Sequence, residues 1–246
     1  ENDLIIKSVY EMVTILQTRN GSNDVHIRPC EENRWNHSAQ WDAISLKLYR
    51  NESKATMSQL NGNLTMARGS VAATLSRAAV DWMVNTVDLS TLLDQLNLDT
   101  LGVDEVFIPS LQVSEDFDMP GRFTKECVQK GHILDSITRA EIWVYSTVPC
   151  LTRNYRHSVC VFGIEDLNRL SKNKRLSANK IRTEFDYSIV ECVHELLFNR
   201  TYLEQIDNPL NMSYYANRQE ILYHKNRLYR NESFKLDCNT NHSTWA

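Results

Sequence analysis

A chain of 246 residues with 42% apolar content is long enough to bury a core as one large domain or two small ones. Its net charge of −4 argues against a nucleic-acid partner, because such binders carry a basic face. It contains no apolar run of the roughly 18 residues that a membrane span needs. Glu1-Asn2-Asp3 also lacks the basic-then-apolar opening of a signal peptide, so targeting is expected from a segment upstream of Glu1.

In chain order, Leu4, Ile5, Val9, Met12, Val13 and Leu16 recur at helical spacing before an Asn20-Gly21 stop, which predicts an opening amphipathic helix packed on structure outside this sequence. Residues 22–68 are polar and turn-rich, with strands predicted near 25–28 and 43–49 and a hairpin turn at Asn61-Gly62. A strand over 71–75 follows, then a helix capped by Ser76 and another capped by Ser90. Residues 104–112 read as a helix. Pro109 has no N–H and is expected in its first turn, which leaves Asp104 and Glu105 at the helix mouth. A Pro120-Gly121 turn leads to a helix over 122–130 and a strand over 137–145. A second buried strand covers 156–162 and stops at Gly163. Helices follow over 165–172 and 186–198, the latter apolar on one face through Ile189, Val190, Val193, Leu196 and Leu197. The tail after Tyr202 is polar and reads as a surface wrap. This alternation predicts an α/β or α+β class, without repeats or low-complexity segments.

Eight Asn-x-Ser/Thr triplets begin at Asn20, Asn36, Asn51, Asn63, Asn199, Asn211, Asn231 and Asn241, where chance gives roughly three. Such an excess points to a surface exposed to the glycosylation machinery of the secretory lumen. The six cysteines, Cys30, Cys127, Cys150, Cys160, Cys192 and Cys238, suit an oxidising compartment, and none has metal-site spacing. Their number leaves the pairing open.

Signatures for dinucleotides, P-loop nucleotides, zinc proteases and serine hydrolases are missing, so no cofactor is expected. Asp116-Phe117-Asp118 offers paired carboxylates of the kind that hold a divalent metal, but its place in an acidic turn favours solvated charge, and no metal site is assigned. The informative stretch runs Arg156-His157-Ser158-Val159-Cys160-Val161-Phe162-Gly163-Ile164-Glu165-Asp166-Leu167, continues to Ala178-Asn179-Lys180 and reaches Phe185-Asp186 and Cys192. In motif and ungapped spacing it resembles the core-2/I-branching β-1,6-N-acetylglucosaminyltransferases. Glu32-Asn33-Arg34-Trp35, Asp104-Glu105 with Leu111-Gln112, and Trp143-Val144-Tyr145 resemble further motifs of that family.

The resemblance implies an α/β, GT-A-like glycosyltransferase fold that is incomplete here, because the amino-terminal nucleotide-binding half is absent. Residues 1–200 correspond to the carboxy-terminal part of the catalytic domain, and 201–246 form a polar glycosylated tail. It further implies a Golgi-lumenal, single-pass type II membrane protein that reaches the membrane only through an upstream anchor. The activity it implies is an inverting, metal-independent transfer from UDP-N-acetylglucosamine to the C6 hydroxyl of a glycan or glycoprotein acceptor. By position the resemblance assigns Glu105 as the general base and Trp143, Tyr145 and Glu32 as acceptor contacts. It assigns Lys180, with Arg156 and His157, to neutralising the diphosphate. Arg169, Lys172, Lys174, Arg175 and Arg182 near Lys180 otherwise read as one solvated basic face. A family arginine is matched in register by His157, and Pro109 replaces a small helix residue. Cys150 and Cys160 correspond to a family disulfide, while Cys192 is left free or captured by Cys238. A different class fits the absent half: a non-catalytic lumenal carbohydrate-binding module that kept only the acceptor groove.

Overall fold

A computed structural model describes residues 2–98, 102–205, 207–229 and 233–239, which form a mixed α/β fold with short strands. The strands are β1 (Asn2–Ile5), β2 (Asp24–Val25), β3 (Arg28–Pro29), β4 (Ala67–Arg68), β5 (Ala73–Thr74), β6 (Arg139–Ala140), β7 (Tyr155–Arg156), β8 (Val159–Cys160) and β9 (Ser177–Ile181). The helices are α1 (Val9–Arg19), α2 (Met57–Leu60), α3 (Arg77–Asp81), α4 (Ser90–Leu96), α5 (Asp104–Val113), α6 (Glu126–Gln129), α7 (Leu167–Ser171), α8 (Ser188–Tyr202), α9 (Met212–Ala216) and α10 (Gln219–Tyr229). The described residues of Glu1–Thr18 and Ser136–Tyr215 form one unit; those of Arg19–Asp135 and Ala216–Asn241 form another. No helix among the described residues is long and apolar enough to cross a membrane.

In the first unit a sheet of order β1-β9-β6 pairs β1 antiparallel and β6 parallel to β9, with Leu4 opposite Ala178 and Arg139 opposite Ser177. Leu4, Ile6, Ile142, Phe162, Ile181 and Ile189 fill its core. The predicted opening helix is therefore divided: Leu4 and Ile5 lie in β1, and α1 starts only at Val9. The reason is a reciprocal cap, in which Ser8 N–H donates to Glu11 Oε2 at 2.7 Å and Glu11 N–H donates to Ser8 Oγ at 3.3 Å. Val9, Val13 and Leu16 are exposed, while Ile15 is buried against Ile137, Leu176 and Tyr215. At the far end Asn20 (φ 48°) and Gly21 (φ 91°) take the left-handed conformation that ends the helix.

The two strands predicted over 137–145 and 156–162 are shorter than expected. Only β6 and a lone antiparallel bridge from Trp143 to Val159 survive from the first. The second is a hairpin, β7–β8, closed by His157 (φ 48°) and Ser158 (φ 65°), because two consecutive positive φ angles make the tight turn whose twist suits a hairpin. The 186–198 helix extends as α8. Asp186 Oδ1 accepts the Ser188 N–H at 2.9 Å, and Ile189 and Val193 are buried.

In the second unit, β2 pairs with β5 and β3 with β4, both antiparallel. The predicted strand over 43–49 is a run of turns. Lys47 takes a positive φ of 50°, and Ala43, Leu46, Leu48 and Tyr49 are all buried, so the segment lies in the core with no free sheet edge. Asn61-Gly62 follows α2 instead of closing a hairpin. Ser76 caps α3 as predicted, accepting the Ala79 N–H, but Ser90 is the first residue of α4 and not its cap; the N-cap, Leu89, makes no side-chain bond, and Asp88 Oδ1 accepts the Ser90 N–H at 3.0 Å. The 122–130 helix shrinks to α6, since the Phe123 N–H is committed to the Gln112 carbonyl at 3.0 Å. The segment after Tyr202 contributes α9 and α10, with Tyr215, Ile221 and His224 buried, so it is more than a surface wrap. Cys238 also ties it down through a disulfide to Cys127.

Pro109 is the sixth residue of α5, not a first-turn residue. Lacking an N–H, it leaves the carbonyl of Glu105, four residues back, without its helical donor. The Gly69 N–H just past β4 fills that role at 2.8 Å, so tertiary structure supplies the bond the proline forfeits.

Candidate functional site

Glu105 stands in the first turn of α5, in the second unit, with its side chain 31% exposed. Its Oε2 accepts a hydrogen bond from Arg68 Nε at 2.8 Å and lies 3.9 Å from Arg34 Nη1, while among the described residues Oε1 has no protein partner. The same Arg68 donates from Nη1 to Glu31 Oε1 at 2.7 Å, and Arg28 Nη2 reaches that oxygen at 2.7 Å. The antiparallel register of β3 and β4 sets Arg28 opposite Arg68, which is why both guanidinium groups converge on Glu31. Hydrogen bonding by Arg68 is the largest influence on Glu31 and holds its carboxyl down at about 2. The neighbouring Cys30 thiol is pushed up to about 11 by burial and then by the Glu31 charge, so it stays protonated.

Glu32 opens a 3-10 turn, Glu32–Arg34, and is exposed; its carbonyl hydrogen-bonds a ring nitrogen of His37 at 2.7 Å. Trp35 packs on the His37 ring at 3.9 Å and meets Trp41 edge-on at 6.2 Å. The turn thus brings Arg34 to Glu105, and the carboxylate joined to the cluster is Glu31, one residue before the one singled out from sequence. Neither Arg68 nor Glu31 was legible in the sequence, since they act through strand pairing and belong to no motif. Asp118 is engaged by Arg122 at 2.9 Å and Arg227 at 2.6 Å, while Asp116 is exposed.

The other assigned residues gather in the first unit. Trp143 and Tyr145 lie on a bridge and the turn after it, not on a strand, yet their rings stack with centroids 5.7 Å apart and planes 14° from parallel. The Val144 N–H donates to the Ser158 carbonyl at 2.8 Å, which sets this aromatic ledge beside the hairpin turn. Arg156, the last residue of β7, and His157, in that turn, are both exposed. The Cys150–Cys160 disulfide braces β8 from the other side, as does Thr152 Oγ1, which donates to the Val161 carbonyl at 2.6 Å. The Phe162 N–H donates to the Lys180 carbonyl at 2.9 Å, joining the hairpin to β9. Lys180 is 8% exposed, so it does not belong to a solvated basic face. Cys30 and Cys192 remain free thiols; Cys238 pairs with Cys127 and does not capture Cys192. A cavity of about 250 Å³ in the same unit, lined by Glu11 and Arg200, includes none of the assigned residues.

Of the acceptor asparagines, Asn20, Asn36, Asn51, Asn63 and Asn211 are exposed and Asn199 is half-buried within α8; Asn231 and Asn241 lie outside the described residues.

The family model described as Core-2/I-Branching enzyme matches residues 1–171. The chain is 29% identical over 203 residues to the beta-1,3-galactosyl-O-glycosyl-glycoprotein beta-1,6-N-acetylglucosaminyltransferase 4 of Danio rerio, a match spanning 79% of this chain and 46% of that protein. It is 28% identical over 209 residues to the beta-1,3-galactosyl-O-glycosyl-glycoprotein beta-1,6-N-acetylglucosaminyltransferase of Bovine herpesvirus 4, covering 79% and 45% of the two chains. For the human enzyme numbered 3 in the same series the identity is 27% over 207 residues, with coverage of 79% and 45%. The chain therefore spans a little under half the length of these relatives.

Proposed function

The chain belongs to the Core-2/I-branching enzyme family, a family of glycosyltransferases, and from that premise we propose that it works as the carboxy-terminal half of a GT-A-like catalytic domain. The proposed reaction moves N-acetylglucosamine from UDP-N-acetylglucosamine to the C6 hydroxyl of a glycan on a glycoprotein, with inversion. The observation that carries this reading is Glu105: a carboxylate at the head of α5 with one oxygen held by arginine and the other open.

In the proposed step the acceptor hydroxyl gives its proton to the Glu105 carboxylate as its oxygen attacks the anomeric carbon. A new carbon–oxygen bond forms on one face, and the bond to the β-phosphate oxygen breaks on the other with its electron pair leaving on UDP. Lys180, Arg156 and His157 balance the charge that develops on the departing diphosphate, a role that needs cations but no particular metal. Trp143 and Tyr145 offer a flat apolar ledge and a phenol for an acceptor sugar, with Glu32 supplying a further acceptor contact. The sequon excess and the two disulfides support residence in the secretory lumen; Golgi location behind an upstream anchor is part of the same proposal.

The test uses the full-length enzyme with UDP-N-acetylglucosamine and a beta-1,3-galactosyl-O-glycosyl-glycoprotein acceptor, the class named for the relatives. Glu105→Gln should lower kcat by about 10²–10⁴-fold with donor binding intact, and chelator should leave wild-type turnover unchanged. Full turnover by Glu105→Gln refutes the base. Activity that chelator abolishes and manganese restores refutes the metal-free step.

A further inference from the structure

We propose that the dipeptide Arg68-Gly69 is a clasp that positions the carboxylate of Glu105 for proton transfer, which makes Arg68 a positioning residue of the enzyme. This inference rests on the reading of Glu105 as the base. The clasp has two fingers. The Arg68 guanidinium holds the side chain through Nε to Oε2 at 2.8 Å, and the Gly69 N–H holds the backbone through the Glu105 carbonyl at 2.8 Å. The second finger exists because Pro109 withdraws the helical donor from that carbonyl, and because glycine lets β4 approach closely enough to replace it.

Arg68 is itself held. Its Nη1 is fixed on Glu31 Oε1, and Arg28 Nη2 fixes that carboxylate in turn, so the fork cannot rotate away from Glu105 without breaking a charged bond. A lysine keeps the charge but has no rigid fork to reach two carboxylates at once. Both nearby guanidinium groups face the same oxygen of Glu105, Oε2, and this leaves Oε1 as the atom available to an incoming hydroxyl. A carboxylate so held on one oxygen loses its freedom about the last torsions, and orientation of this kind is worth large factors in rate: a displacement of about 1 Å can cost about 100-fold.

The experiment is a cycle of Arg68→Ala, Arg68→Lys, Glu105→Gln and the double variant Arg68→Ala/Glu105→Gln in the full-length enzyme. Steady-state kinetics are read at saturating donor, and methylguanidinium is added to Arg68→Ala. A positioning role predicts that Arg68→Ala lowers kcat by about 10–100-fold while the KM for UDP-N-acetylglucosamine stays within about threefold. It predicts that methylguanidinium restores part of that loss, that Arg68→Lys lies between wild type and Arg68→Ala, and that the double variant is no slower than Glu105→Gln. If Arg68→Ala does not fold, Arg68→Lys carries the test: kcat reduced at unchanged donor KM supports the clasp, and wild-type kcat overturns it. The clasp is also overturned if kcat of Arg68→Ala matches wild type, if added methylguanidinium restores nothing, or if the two losses multiply. A Glu105→Gln enzyme with full turnover removes the base assignment and the clasp together, whereas a Glu105-dependent enzyme indifferent to Arg68 removes the clasp alone.

Discussion

Gly69→Ala is the substitution that most directly stresses the close approach of Gly69, just past β4, to His26, between β2 and β3. A Cβ at this position lies 1.8 Å from the His26 carbonyl oxygen, 2.8 Å from its carbonyl carbon and 3.0 Å from Pro109 Cγ. Carbon–oxygen contacts relax near ~3.3 Å, so the two segments have to part by about 1.5 Å. No rotamer absorbs that movement, because the nearest obstacle is backbone. Overpacking of this kind costs about 1–3 kcal/mol, and losing the Gly69 N–H bond to Glu105 adds about 1 kcal/mol, for a total of about 2–4 kcal/mol. Gly131→Ala is the internal control: its φ of +81° is left-handed, but nothing lies within 4 Å, so only backbone strain of about 1 kcal/mol applies. Denaturant unfolding followed by tryptophan fluorescence reads both variants, since Trp35, Trp41 and Trp82 lie in the same unit. A Gly69→Ala loss no larger than that of Gly131→Ala would refute the steric account of this approach.

Two further outcomes follow from the side chains around the site. Because Arg68 holds the Glu31 carboxyl at about 2, below its ordinary 4.5, the stabilisation is present above pH 4.5 and is lost as pH falls toward 2. The melting-temperature difference between wild type and Glu31→Gln should therefore be constant from neutrality to about pH 5 and close as pH falls to about 2; a difference unchanged at the acid end contradicts the ion-pair chain. Tyr145 is 77% exposed, so Tyr145→Ala should leave stability within about 0.5 kcal/mol of wild type. As part of a stacking ledge its loss should raise the acceptor KM by about 2–12-fold, matching the 0.5–1.5 kcal/mol of an aromatic contact. An unchanged acceptor KM would assign the ring to no substrate.

Local chemistry explains what was readable along the chain. The end of α1 at Asn20-Gly21 and the Ser76 cap of α3 depend on neighbouring residues, and both are present. The helix holding Glu105 was visible for the same reason, since an apolar period and an acidic first turn are properties of ten consecutive residues. The Ser8–Glu11 cap was equally local, but the apolar spacing of Leu4 and Ile5 masked it, because the strand edge offered by β9, with Ala178 opposite Leu4, cannot be seen from residues 1–20.

Sequence alone thus determined the sequon-rich composition, the family through the run from His157 to Lys180, and the carboxylate at the head of α5. Only the tertiary structure decided what holds that carboxylate. Arg68 carries no signature, and its importance comes from the register that sets it opposite Arg28 and from a proline whose missing N–H leaves the Glu105 carbonyl open to Gly69. The same holds for the aromatic ledge: the 137–145 segment reads as a strand by alternation, but Trp143 and Tyr145 stack through a turn fixed by a hairpin that two left-handed residues close. Pairing partners distant in sequence set these positions, and no periodicity within a segment records which partner it will meet.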